Sequence, residues 1–298
     1  MQRIVRFFIE RRLFLLPLPI ASSFLVGLLV RPLLFFNATL ISLIVLSCNR
    51  KEVSKAIVGS LVVVAFFSFL LSLGPSSLLF ALGLWLPAAV AAGLHREYRD
   101  FYYSFLSIAV FVLMYLGLFR LSVDSVEFFW VDRVSTFLSG LPVNELNLSE
   151  AELEMVSNQV HVWSILLVQF FLINSLLLSR WYQSKLYNPG GFSREFLSFK
   201  LPKSLAILLM FILFLNASEL LGTGKFSVLS DILLVLMGLF FFHGLSVIHF
   251  TGRENKLAKG WFTALYFLIL LLPQIVGLVI IITGIIDCFI NLRSRTIS

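Results

Sequence analysis

The chain has 298 residues, of which 59% are hydrophobic and 13% charged, against about 25% charged in a typical soluble domain. Its 32 phenylalanines are spread along the whole length, so a soluble globule is excluded and lipid is the expected solvent. The net charge of +7 sits in short loops with no block of five like charges, which excludes a nucleic-acid arm, and two cysteines outside any CxxC spacing exclude a zinc or disulfide scaffold.

The N-terminus has a basic start and an apolar run without a convincing small-residue cleavage site, which predicts a retained first helix. A spanning helix needs about 20 mostly apolar residues. Nine segments qualify as candidates: Leu13–Val30, Pro32–Cys48, Ala56–Leu73, Ser76–Leu94, Phe101–Phe119, Val160–Arg180, Ser204–Leu221, Asp231–Phe250 and Trp261–Ile290. The last is too long for one straight span and carries Pro273, so either a kinked crossing or a fold-back is open. The predicted class is therefore all-α: one polytopic helical membrane domain over residues 1–298 with eight to nine transmembrane segments.

Basic residues predict the orientation. With the N-terminus cytoplasmic, seventeen of the 23 lysines and arginines fall in cytoplasmic segments, four fall outside, and Arg293 and Arg295 are on the tail. Residues 121–159 form an acidic extracytoplasmic loop. Within it, Ser149-Glu150-Ala151-Glu152 fits a capping box, so the sixth helix is expected to start near Glu150. Acidity there reads as a solvated surface, with a cation-attracting vestibule as the alternative.

Ionisable residues in apolar segments are costly and so are candidates for function. Asn216 and Glu219 share a helical face near the outer end of the seventh segment, and Asp231 opens the eighth. Capping and interfacial solvation account for them, and a solute site is the sharper reading. His243 and His249 are six apart on one helix, about 120° around it, so they cannot share a metal; no metal site or cofactor is expected. Asp287 is expected to pair with Arg293. Ala88/Ala92 and Ala89/Gly93 are small-residue pairs suited to close helix packing. No nucleophile elbow, P-loop or HExxH occurs, so no enzyme is supported.

Residues 181–203 form a predicted cytoplasmic loop. Trp181, Tyr182 and Tyr187 with Arg180 and Lys185 read as an aromatic-basic belt at the membrane interface. Asn188-Pro189-Gly190-Gly191 fits a type II turn with Gly190 at the positive-φ position. Phe192, Phe196 and Phe199 follow at helical spacing, predicting an amphipathic helix on the membrane surface. The alternative for Gly190-Gly191 is an anion cradle of free amides.

The run Arg180 to Phe196, above all Trp181, Leu186-Tyr187-Asn188-Pro189-Gly190-Gly191-Phe192 and Glu195-Phe196, resembles the signature of the YybS-like predicted bacterial membrane proteins, in their proteobacterial branch. Gly284 to Phe289 with Asn291-Leu292-Arg293 resembles that family's C-terminus. The family is of unknown function, so no catalytic residue is carried over. A distant relation to substrate-capture membrane subunits of vitamin-uptake transporters implies an all-helical fold and a small-molecule pocket. The phenylalanine-rich spans and the long acidic loop depart from the family.

The resulting expectation is a multi-pass protein of the bacterial inner membrane, surrounded by lipid, with transport-related binding of a small solute or metabolite through Asn216, Glu219 and Asp231. The alternative is a non-enzymatic scaffold that docks a membrane or cytoplasmic protein partner through Trp181, Tyr187, Asn188, Pro189, Gly190, Gly191, Phe192 and Phe196. No nucleic-acid partner is expected.

Overall fold

The computed structural model describes residues 17–30, 34–140, 148–218 and 226–295, and every regular element among them is α-helical. In chain order these are α1 (Pro17–Leu29), α2 (Leu34–Ser47), α3 (Arg50–Leu70), α4 (Ser76–Tyr98), α5 (Phe101–Ser122), α6 (Val126–Ser139), α7 (Glu150–Tyr187), α8 (Gly191–Ser198), α9 (Lys203–Ala217), α10 (Val228–Glu254), α11 (Lys259–Leu271), α12 (Pro273–Ile290) and α13 (Leu292–Arg295). Six of them, α3, α4, α5, α7, α10 and α12, are long and apolar enough to cross a membrane, and α8 with α9, bent by 53°, gives up to seven. α1, α2 and α11 are shorter apolar helices. Large apolar side chains stand exposed on these helices, with Phe69 at 88% and Leu121 at 86%. Lipid, unlike water, tolerates such faces, so the fold is that of a multi-pass membrane protein.

The residues cluster into two compact units: residues 1–108 with 171–199, and residues 109–170 with 200–298. In the first, α2 pairs with α4 and α1 with both α2 and α3. Asn49 caps α3 in a full capping box with Glu52. Ala88 and Ala92 are buried, and Ser42 donates to the Ala88 carbonyl at 3.3 Å, so this small-residue pair serves internal packing. Asn37, in the middle of an apolar run, is completely buried. Its amide donates to the Ile20 carbonyl at 2.8 Å and to Ser23 at 2.9 Å, and its Oδ1 accepts from Trp85 Nε1 at 2.6 Å. This satisfied amide ties α1, α2 and α4 together.

In the second unit the described parts of the acidic stretch are mostly helical. Ser125 caps α6 by accepting from Phe128 N at 3.2 Å. The predicted box at Ser149 forms: Glu152 N donates to Ser149 Oγ at 3.4 Å, and Ser149 N to Glu152 Oε2 at 2.9 Å. From there α7 runs 38 residues without a break, longer than a crossing requires.

The most extensive helix pairing joins α10 and α12. The predicted segment Trp261–Ile290 is two helices, and Pro273 is no kink within one helix but the first residue of α12, where its missing N–H costs nothing. α11 has 13 residues, about 20 Å of helix, too short to cross the hydrocarbon core of about 30 Å. It starts beside the C-terminal part of α10, where Phe262 stacks on His249 at 4.9 Å and Tyr266 Oη meets His249 Nε2 at 3.1 Å. α12 then returns, and its end lies near His243 and the Leu201 carbonyl. The segment folds back on itself.

Candidate functional site

The turn after α7 forms as the sequence predicts. Gly191 N donates to the Asn188 carbonyl at 2.9 Å, and Gly190 has φ 82° and ψ −9°, the third position of a type II turn. Ser184, buried on the last turns of α7, donates to the Asn188 carbonyl at 2.7 Å and accepts from Phe192 N at 3.0 Å. Of the Gly190 and Gly191 amides expected to cradle an anion, that of Gly191 is thereby spent, as is the amide of Phe192 that follows. Lys185 Nζ sits 3.6 Å from the Trp181 ring centroid, and Trp181 meets Tyr182 edge-on, as an interfacial belt would.

Two expectations for this stretch are corrected. The phenylalanine face of α8 does not lie on lipid. Phe192 and Phe196 pack edge-on to Phe101, Phe199 packs on Phe105, and Phe196 and Phe199 are buried. An amphipathic pattern marks an apolar face without saying what covers it, and here the chain's own α5 does. Arg180 is no belt residue either. It is 4% exposed and grips Glu195 with both ends of its fork, Nε to Oε2 at 2.7 Å and Nη2 to Oε1 at 2.6 Å.

Glu195 is the hub of this region. His95, buried at the end of α4 and stacked on Phe101 at 4.4 Å, puts Nε2 3.1 Å from Glu195 Oε2. A carboxylate only accepts, so that nitrogen carries the proton. Burial raises the Glu195 pKa, but hydrogen bonds and charge from His95 and Arg180 outweigh it and hold the carboxyl well below its usual range, at about 2. Gly191 makes the arrangement fit: a Cβ there would lie 2.9 Å from Arg180 Nη2 and 2.5 Å from Asn188 Nδ2. Thus Gly190 supplies the left-handed turn and Gly191 the room for the guanidinium.

Around this hub is a cavity of about 330 Å³, lined by His95, Arg96, Arg99, Arg180, Gln183 and Glu195. Tyr187 and Asn188 of the turn region also line it. A second cavity of about 320 Å³, in the other unit, has apolar walls that include Trp163, Phe170, Met237 and Phe241.

The solute candidates expected from sequence are described only in part. Glu219 lies outside the described residues. Asn216 donates to Ser230 Oγ at 3.0 Å. Asp231 is 2% exposed, so it is not a solvated boundary residue. It does not cap α10 either, since Ser227 does, accepting from Ser230 N at 3.1 Å. Asp231 instead binds Arg120, with Nε at 3.0 Å and Nη2 at 2.5 Å, and His161 Nε2 at 2.9 Å. The tail repeats the pattern: Asp287 meets the expected Arg293 at 3.6 Å and also His243 Nε2 at 3.0 Å.

Three buried histidine–carboxylate–arginine clusters are therefore present among the described residues, each with one guanidinium, one carboxylate and one imidazole turned by Nε2 to the acid. With neutral imidazole each sums to zero charge, which is how ionisable groups are tolerated among apolar helices. No group of three or more metal-ligating side chains converges among the described residues. The clusters were not legible because the histidine–acid partners stand 100, 70 and 44 residues apart. The available signal was the charge itself, since an arginine and an acid in apolar segments each require a partner. Compared with protein-family models, curated proteins and solved structures, the chain gives no match.

Proposed function

We propose that the chain is a multi-pass protein of the bacterial inner membrane that takes part in transport by binding a small solute or metabolite in the cavity around Glu195. The observation that carries this reading is the cavity's make-up: a charged recess of about 330 Å³ built by two polar runs, 95–99 and 180–195, between long apolar helices. Ligand sites are recesses of this size with a few placed polar groups, and charge held among apolar helices marks function by default. The same construction supports kinship with the YybS-like family, because Asn188 and Gly191 of its signature shape the recess.

Native mass spectrometry on protein gently extracted from membranes tests the reading. A co-purifying small molecule lost on Glu195→Ala is the expected result; a protein carrying no small molecule would sink it. The same spectra address docking, for which Tyr187 remains 46% exposed while Phe192 and Phe196 are covered by Phe101.

The proposed topology has the N-terminus in the cytoplasm, eight crossings at the predicted apolar segments that hold α1 to α5, α7, α9 and α10, of which α1, α2 and α9 are the described parts, and a re-entrant α11–α12 hairpin, the lower of the eight-to-nine range. Its support is the distribution of lysine and arginine and the fold-back at Pro273. In a variant lacking Cys48 and Cys288, cysteine at Ser139 is expected to react with an impermeant thiol reagent in intact cells. Cysteines at Ser198 and Ser294 are expected to react only after permeabilisation. Labelling of Ser198→Cys from outside would overturn the orientation.

A further inference from the structure

We infer that the cavity around Glu195 takes a phosphate-bearing anion, held by Arg96 and Arg99; this rests on the reading of that cavity as the solute site. Most of the lining groups are already used by one another. Glu195 is answered by both ends of the Arg180 fork and by His95, so acid and Arg180 are spent on each other. Gln183 is spent as well: its amide nitrogen donates to the Leu46 carbonyl at 2.7 Å and its oxygen accepts from Arg180 at 2.9 Å.

Two guanidinium groups remain without a carboxylate partner among the described residues. Arg96 is anchored by Nη1, which donates to the Val45 and Cys48 carbonyls. Arg99, the left-handed residue that ends α4 at φ 54°, is exposed; its backbone N–H donates to the His95 carbonyl, and its side chain has no hydrogen bond or ion pair among the described residues. A third, independent sign is His95. It is 2% exposed, lines the cavity, and its Nδ1 is buried without a hydrogen-bond partner. With Nε2 protonated toward Glu195, this Nδ1 is an acceptor, costly to bury unless a donor such as a ligand hydroxyl completes it.

The charge left over is positive, and the guanidinium groups can only donate. The guanidinium side of the site selects an acceptor-rich anion, His95 Nδ1 asks for a hydroxyl donor on the same ligand, and two planar guanidinium forks match a phosphate dianion better than a single carboxylate. The cavity is larger than a phosphate ion, so the anion is expected to carry an organic part. That part can belong to a soluble phosphate ester or to a phospholipid headgroup; the recognition chemistry is the same.

The test uses the full chain, delipidated in a maltoside detergent that contains no phosphate. It is titrated with glycerol 3-phosphate and with glycerol, and in parallel placed in nanodiscs of phosphatidylcholine with or without phosphatidylglycerol. Binding of glycerol 3-phosphate but not glycerol, weakened about tenfold or more by Arg99→Gln, is expected for a soluble ester. Selective retention of phosphatidylglycerol, lost in Arg99→Gln, would assign the phosphate to a lipid. Arg99 is exposed and unpaired, so the variant is expected to keep its melting temperature; Arg96→Gln gives a second reading. Neither probe binding the wild type, or binding unchanged in both variants, overturns the phosphate assignment. A membrane-derived solute that lacks phosphate yet is lost in Arg99→Gln would end that assignment and leave the cavity reading standing. A solute retained in both variants would end the cavity reading itself.

Discussion

Gly244→Ala is expected to break the packing of α10 on α12 and to cost about 3 kcal/mol, the upper end of what overpacking a filled interior costs. A Cβ at Gly244 would overlap the Ile280 carbonyl, with the Gly284 amide nitrogen 3.1 Å away. A Cβ at Gly284 would in turn lie 2.6 Å from the Phe240 carbonyl oxygen and 2.8 Å from Gly244 N. These are backbone atoms, so no rotamer change relieves the clash, and the helices themselves would have to separate. In lipid, separation is expensive for a specific reason: apolar side chains gain little by leaving hydrocarbon for protein, so close backbone contact supplies much of the attraction between helices. Separation would also pull His243, the neighbour of Gly244, away from Asp287. Gly277→Ala on the same helix is the control. Nothing lies within 4 Å of a Cβ there, so its melting temperature is expected to be unchanged or slightly raised. Fluorescence-detected size exclusion after heating would measure both. Equal melting temperatures for the two variants would mean that the helices do not cross at these glycines.

What was legible in the sequence is what is local. The apolar runs announce helices because in hydrocarbon the backbone has to satisfy itself. The box at Ser149 and the turn at Pro189-Gly190 are read from four neighbouring residues, and both form. What was not legible is what depends on the third dimension. Asp231 has the sequence position of a helix-start acid, but Ser227 takes the capping role and Asp231 faces Arg120, 111 residues away. The phenylalanine period of α8 identifies an apolar face, and only packing shows that Phe101 and Phe105 cover it. Gly190 and Gly191 look equivalent on paper. One is required by its φ and the other by the Arg180 side chain above it. Asn37 is a single amide in an apolar run, with nothing nearby to show that Ile20, Ser23 and Trp85 use both its amide hydrogens and its oxygen. The cavity around Glu195 belongs to the same class: its walls come from α2, α4, α7 and α8 and the turns beside them, which no local pattern connects.

The Arg120–Asp231 pair allows the largest test of how these clusters contribute to the fold. Asp231 is buried on all sides, holds both Arg120 Nε and Nη2, and accepts from His161 Nε2; Arg120 Nη2 also reaches the Phe226 carbonyl at 2.7 Å. Removing one partner leaves an uncompensated charge in a site that excludes water, and for buried pairs that costs about 3 to 5 kcal/mol. Asp231→Leu is therefore expected to destabilise severely, because both Arg120 and His161 lose their acceptor. Arg120→Leu is expected to cost less, because His161 still answers the acid and Arg120 itself is partly exposed. In the double variant no unpaired ion remains, so its loss is expected to fall short of the sum of the singles by about 2 kcal/mol, within the range seen for residues in direct contact. His161 would then be the one group still without a partner, and adding His161→Phe is expected to recover further stability beside Trp130 and Phe226, whose rings already lie 5.8 and 5.5 Å from the imidazole. Thermal melts of the four proteins in one detergent give the cycle. If Asp231 were merely a solvated acid at a helix start, the single variants would each cost under about 1 kcal/mol and would add. Strict additivity at that scale would remove the cluster from the account of what holds α5, α7 and α10 together.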